Sequence, residues 1–186
     1  MPNLDLESIS PEEAKRKLLM WYLSSYGPAS IQDFAYWTGF TVKEAKHVFS
    51  SLNDAVLRVR IDGLKGEFWI FERDLKFLEK KSPSYLSIHL LPPFDPLIMG
   101  HKEKTRILDP IHKKMVFLPL ADVAATVLIN GRIVGTWKYK KGKKIPKFEV
   151  KLFGKLDNGK IKLIESEIER MSNFLEVQKL EVEIHC

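Results

Sequence analysis

"SIQDFAYWTGFTVKEAKHVFSSL", residues 30–52, holds two helix starts and one helix stop in close succession. Ser30 is an N-cap residue, and Asp33 stands three positions on, where a carboxylate returns the hydrogen bond. Phe34, Ala35 and Trp37 follow as an apolar face, and Gly39 supplies the left-handed residue that closes a helix. Thr41-Val42-Lys43-Glu44 repeats the capping pattern, and Ala45, Val48, Phe49 and Leu52 then recur at helical spacing. Upstream, Ser10-Pro11-Glu12-Glu13 gives an N-cap, a proline at the first helical position and an acid at the third. Leu18, Leu19, Trp21, Tyr22 and Leu23 form the apolar face of that first helix until Gly27-Pro28 stops it.

Past Leu52 the period changes from 3.6 to 2. Leu57, Val59 and Ile61 alternate with Arg58, Arg60 and Asp62, Gly63-Leu64-Lys65-Gly66 makes a turn, and Phe68 to Phe71 returns as a strand. Three helices followed by a two-stranded hairpin is the winged helix-turn-helix arrangement, expected over residues 9–80. In that arrangement the third helix is placed to enter a major groove and the hairpin to touch adjoining backbone. The candidate contacts are Thr41, Lys43, Lys46 and His47 on the helix and Arg58, Arg60 and Lys65 on the hairpin. Glu44 beside the lysines, with no arginine on the helix, makes it a poor reader of base edges. Purely protein-contact use of the same fold stays open. Trp21, Trp37 and Trp69 are expected in the core.

The second half follows a different pattern. Strands are expected at Tyr85–Leu91, Val116–Leu118, Ala125–Ile129, residues 132–139 and Phe148–Phe153, and a last one at Leu180–Ile184. Asn130-Gly131 is a strong two-residue hairpin signal, and Asp157-Asn158-Gly159 precedes a helix running to about Leu175. Residues 97–108 fit a short helix or an irregular loop. The chain as a whole is expected to be α+β: the winged helix-turn-helix domain, then a small, mostly antiparallel β domain (a partial barrel) with one long helix over residues 84–186. Lys80-Lys81-Ser82-Pro83 is the expected boundary.

Charge is unevenly placed. The chain of 186 residues carries a net +6, yet Arg132 to Lys151 alone holds eight cations against one acid, Glu149, a net +7. Such a local basic stripe favours an anionic partner. It adds Arg132, Lys138, Lys140, Lys141, Lys143 and Lys144 to the candidate nucleic-acid contacts. A lysine-rich solvated hairpin is the alternative. Trp137, between Thr136 and Lys138, fits base stacking or core packing.

Other chemistry is thin. Cys186 is the single cysteine, so no intramolecular disulfide forms. His89, His101, His112 and His185 lack helical i, i+4 pairing or a second cysteine, and no glycine-rich phosphate loop or nucleophile elbow occurs; no metal or cofactor is expected. The N-terminus lacks a signal-peptide pattern and no apolar run reaches the roughly 18 residues of a membrane span, so no membrane is expected and the location expected is cytoplasmic.

Three blocks carry a resemblance. "WYLSSYGPASIQDFAYWTGF" (21–40), "LLPPFDPLIMGHKEKTRILDP" (90–110) and "VLINGRIVGTWKYKKG" (127–142) resemble consecutive blocks of the winged helix DNA-binding protein family that includes the bacterial crosslink-repair DNA glycosylases. The resemblance runs from about Ala14 to Leu175. It implies winged-helix units followed by a β-barrel-like domain that bind duplex DNA. It also implies an upstream catalytic motif of glutamine, an apolar residue, then glutamine or aspartate, in members about twice this length. Only Gln32 and Gln178 occur here, and neither fits that motif, so no catalytic residue is assigned. Two functions follow: a duplex DNA-binding module driven by phosphate contacts with little sequence preference, linked to DNA repair, or the C-terminal part of a DNA glycosylase whose catalytic glutamines lie outside this chain. Asp95, the one acid in the apolar run 90–100, is expected to hold a turn rather than to move a proton.

Overall fold

The structure, a computed structural model, describes residues 9–52, 55–79, 86–141, 145–177 and 179–186. The chain divides into two compact units, Met1–Ser82 with Met99–Glu103, and Pro83–Ile98 with Lys104–Cys186. The expected boundary at Lys80-Lys81-Ser82-Pro83 lies outside the described residues.

In the first unit α1 (Pro11–Tyr26) starts where the Ser10 side chain accepts a hydrogen bond from the Glu13 amide at 3.2 Å. The helices α2 (Ile31–Thr38) and α3 (Val42–Phe49) each open on a complete capping box, Ser30 with Asp33 and Thr41 with Glu44. Gly39 caps α2 with φ 77°, a conformation that costs a side-chain-bearing residue energy. The strands β1 (Val56–Val59) and β2 (Phe68–Phe71) pair antiparallel, Val56 opposite Phe71 and Val59 opposite Phe68. Ala29 exchanges backbone hydrogen bonds of 3.0 and 2.8 Å with Trp69, which covers the other edge of β2. Leu19, Tyr22, Leu23, Phe34, Ala45 and Phe49 are all buried in one core. Trp69 packs against that core, but Trp21 is 68% exposed. The correction is geometric: Leu19, Tyr22 and Leu23 share one face of α1, and Trp21 sits two residues from Leu19, about 200° round the helix. Trp37 keeps a 38% exposed rim while its ring lies 5.1 Å from that of Tyr22.

Directly after β2 comes α4 (Glu72–Glu79), a helix not expected from the sequence. Leu75 and Leu78 stand at helical spacing along it, and Phe77 and Leu78 are both exposed.

The segment Met99–Glu103 is tied to the helices of this unit by three side chains. The Tyr22 hydroxyl donates to the Gly100 carbonyl at 2.7 Å, His101 Nε2 lies 2.8 Å from the Tyr26 carbonyl, and Asp33 Oδ1 accepts from the Lys102 and Glu103 amides at 2.8 and 3.3 Å. The other Asp33 oxygen takes the Ser30 amide and hydroxyl at 2.9 and 2.8 Å. Burial pushes the Asp33 carboxyl up, but the bonds from Ser30, Lys102 and Glu103 outweigh it and hold the group below the usual carboxylate range.

In the second unit come β3 (Ile88–Leu91), the helical turns α5 (Pro96–Met99) and α6 (Lys113–Val116), β4 (Thr126–Ile129), β5 (Arg132–Lys140), β6 (Lys147–Leu152), α7 (Asn158–Phe174) and β7 (Glu181–His185). Hydrogen bonding runs in the linear order β3-β4-β5-β6-β7, antiparallel up to β6. The last pair, β6 with β7, is parallel. A parallel neighbour needs a crossover, and α7 is that crossover. Its N-cap Asp157 accepts from the Lys160 amide at 3.0 Å, and its buried Ile164 and Ile168 share a core with Ile88 of β3 and with Phe148, Val150 and Leu152 of β6. The expected strand at Val116–Leu118 is corrected: Val116 ends α6, and Phe117 forms only an isolated bridge to Val123. Lys113-Lys114-Met115 precedes it with no β-branched residue, so one helical turn forms there at little cost. No helix among the described residues is long and apolar enough to cross a membrane.

Replacing Asp33 by alanine would leave part-buried amide donors without this acceptor and remove a capping box. The expected loss is about 2–4 kcal/mol at neutral pH, read by denaturant titration. Because the folded-state value of Asp33 is depressed, its contribution is present above the unfolded value and fades as pH falls through the folded one. The gap between wild type and Asp33→Ala should therefore narrow in acid.

Candidate nucleic-acid interface

The basic stripe seen in the sequence becomes the antiparallel pair β5–β6. Alternation sends Phe148, Val150 and Leu152 into the core, so Lys147, Glu149 and Lys151 take the other face. On β5 the residues opposite them are Lys140, Lys138 and Thr136. Lys138, Lys141 and Lys151 are exposed and make no ion pair among the described residues. Lys143 and Lys144 lie outside the described residues.

The stripe is less basic in space than in sequence. Parallel pairing sets Glu181 of β7 beside Lys147 and Glu183 beside Glu149. Lys147 Nζ lies 2.6 Å from Glu183 and 3.6 Å from Glu149, and Lys140 Nζ lies 2.8 Å from Glu149. A hydrogen bond to Glu183 raises the Lys147 ammonium above its ordinary range, and one from Lys140 holds Glu149 below its own. The two β7 acids lower the +7 of the segment to +5. The alternation Glu181-Val182-Glu183-Ile184-His185 was the available signal: both acids lie on one face of a strand, but its partner was not legible.

Two candidates are taken up by the fold. Trp137 stacks on Phe148 with centroids 4.8 Å apart, and its indole N–H donates to the Leu91 carbonyl at 3.0 Å. One ring face and the only donor are therefore committed to the fold, the packing role that its sequence position also allowed. Arg132 donates to the Thr105 carbonyl at 2.6 Å and braces the loop before α6 while staying exposed.

In the first unit Lys43, Lys46 and His47 are exposed on α3. Glu44 does not neutralise them by contact: its carboxylate turns back to the Thr41 amide and hydroxyl at 2.9 and 2.7 Å, bonds that keep it below its ordinary range. On the hairpin, Arg58 pairs with Glu67 at 3.2 Å, while Arg60 and Lys65 are exposed. The candidates thus fall into three local groups: α3, the β1–β2 hairpin, and the β5–β6 hairpin.

Asp95 accepts the Leu97 amide on its side chain at 2.8 Å, and its carbonyl accepts the Ile98 amide at 2.9 Å. It starts a turn, as expected. Gln32 is exposed on α2, and Gln178 lies outside the described residues. Among the described residues no group of three or more His, Cys, Asp or Glu is placed to hold a metal.

Comparison with known proteins gives the family. The profile of the DNA glycosylase AlkZ-like family matches residues 1–174. The interstrand DNA cross-link repair glycosylase of Streptomyces sahachiroi is 27% identical over 132 residues, 69% of this chain and 35% of that protein. The solved structure of the Streptomyces sahachiroi DNA glycosylase AlkZ superposes with a TM-score of 0.79 at 24% identity, over 95% of this chain and 47% of that one. The chain thus spans less than half the length of these relatives. With its profile matched across nearly the whole sequence, the chain belongs to the DNA glycosylase AlkZ-like family.

Proposed function

We propose that this chain holds duplex DNA through its phosphates, with little preference for sequence, and performs no base excision by itself. The observation that carries this is the β5–β6 hairpin, where Lys138, Lys141 and Lys151 are exposed without an ion pair among the described residues. Ammonium groups of that kind neutralise phosphates and release counterions, a sequence-independent source of affinity. The three helices and hairpin of the first unit act as a winged helix-turn-helix that orients the duplex, with Lys43 and Lys46 of α3 and Arg60 and Lys65 of the β1–β2 hairpin as secondary contacts. A second reading rests on the relatives: the chain spans 35% of the cross-link repair glycosylase, so the full activity would be that of a DNA glycosylase whose catalytic glutamines lie outside this chain.

Fluorescence anisotropy with a labelled duplex tests the first reading. With about four phosphate contacts, affinity should fall roughly a hundredfold between about 50 and 200 mM salt. An affinity that does not move over that range counts against phosphate-driven binding.

Glu149 holds both Lys140 and Lys147. Glu149→Gln removes one negative charge and frees the Lys140 ammonium, while Lys147 stays paired with Glu183, so duplex affinity should rise several-fold and the salt slope should steepen. Weaker binding would place this face away from DNA.

The purified chain, incubated with alkylated duplex and then treated with alkali, should give no strand scission above a protein-free control. Scission would show that catalytic residues are present here.

A further inference from the structure

Three separate segments of the second unit meet at a cavity of about 300 Å³: Asp109 and His112 before α6, Arg132 to Val134 at the start of β5, and Phe153 to Leu156 between β6 and α7. Backbone hydrogen bonds fix them to one another. The Ile133 amide donates to the Ile107 carbonyl at 2.7 Å, and the Phe153 amide donates to the Val134 carbonyl at 2.8 Å. On one wall the His112 imidazole stacks on the Phe153 ring, with centroids 4.4 Å apart and planes 24° from parallel. Both residues are half-buried, so the pair keeps an open side.

The cations at this cavity have no counterions in the fold. Arg132 and Lys155 are exposed and make no ion pair among the described residues. The Arg132 guanidinium is held in place nonetheless: Nη1 donates to the Thr105 carbonyl at 2.6 Å, which leaves its other nitrogens to donate elsewhere. The nearby acids are occupied. Asp109 turns Oδ1 to the Ile111 amide at 3.0 Å and caps the turn Pro110–His112, while Asp157, two residues past Lys155, is taken by Lys160 at 2.7 Å. A lone surface lysine is usually only solvated. An arginine braced beside a fixed pair of rings, at the rim of a recess, is an arrangement for holding an anion.

Size and charge select which anion. About 300 Å³ stands at the lower limit of small-molecule sites, so the cavity admits one nucleotide and excludes a duplex. A phosphodiester within a strand carries a single negative charge, whereas a phosphomonoester carries about 1.5–2 at neutral pH. Two unpaired cations match the second.

We propose that this cavity receives the phosphorylated end of a DNA strand, a role that rests on the reading of this chain as a DNA binder. Arg132 and Lys155 hold the terminal phosphate, and the end nucleoside packs on the open side of the His112–Phe153 pair.

Anisotropy titrations of the whole chain test this with one internally labelled duplex carrying hydroxyl ends, 5′-phosphates or 3′-phosphates. Wild type should bind one phosphorylated duplex roughly tenfold more tightly than the hydroxyl-ended one, and the end that gains is the end the cavity takes. Lys155→Gln, at an exposed residue without an ion pair, should melt as wild type does, cancel that gain and leave affinity for the hydroxyl-ended duplex where it was. Arg132→Lys keeps the charge but loses the planar fork, so the gain should fall with it. Equal binding of all three duplexes by wild type overturns the strand-end site alone. So does a gain that survives both substitutions, or a Lys155→Gln variant weakened alike on all three, which would make Lys155 an ordinary backbone contact. A deoxynucleoside monophosphate that binds in a calorimeter while the three duplexes stay equal overturns it in favour of a free nucleotide. No duplex binding at any salt concentration overturns the site and the proposed function together.

Discussion

The carboxylate of Asp33 joins two jobs that the sequence keeps about seventy residues apart. One oxygen completes the capping box of α2, and the other accepts the amides of Lys102 and Glu103. Buried at 1% exposure, it is held ionised by these donors, and each of them would be left without its acceptor if the side chain were removed. The start of the second helix and the placing of residues 99–103 are therefore a single constraint. The aromatic cluster of Tyr22, Phe34 and Phe49 packs around the helices so fixed, and Tyr22 reaches the same segment through its hydroxyl.

In the second unit the organising element is α7. By carrying the chain from β6 to a parallel β7 it buries Ile164 and Ile168 against the sheet and also decides the electrostatics of the opposite face. Glu183 arrives beside a strand whose lysines would otherwise repel one another, and Lys147 is held between two carboxylates. The exposed cations that remain unpaired among the described residues are the ones available to an anionic partner.

Capping boxes, hairpin turns and alternation were legible because each is set by residues within a few positions of one another. Ser30 with Asp33, Thr41 with Glu44 and the Asn130-Gly131 turn all stand where local chemistry puts them. What was not legible depends on distant partners or on weak local preference. Asp33 reads as a cap from its neighbours, and nothing near it points to Lys102. The stripe from Arg132 to Lys151 reads as +7 because Glu181 and Glu183 are about thirty residues away. Trp21 reads as core only when apolar residues are counted without their helix angles. Trp137 reads from its neighbours as either a base contact or a core residue, and its ring lies against Phe148.

On the proposed reading the β5–β6 hairpin, rather than α3, is the main source of phosphate contacts. The direct measurement compares two sets of substitutions by duplex-binding titrations across a range of salt. Changing Lys140, Lys141, Lys143 and Lys144 together to glutamine should weaken binding to every sequence alike. It should also flatten the slope of log affinity against log salt by about 0.9 for each phosphate no longer neutralised. Changing Lys43 and Lys46 to glutamine should do less. A helix pair that proves more damaging than the hairpin quartet would contradict this placing and put a conventional major-groove helix at the centre of the interface.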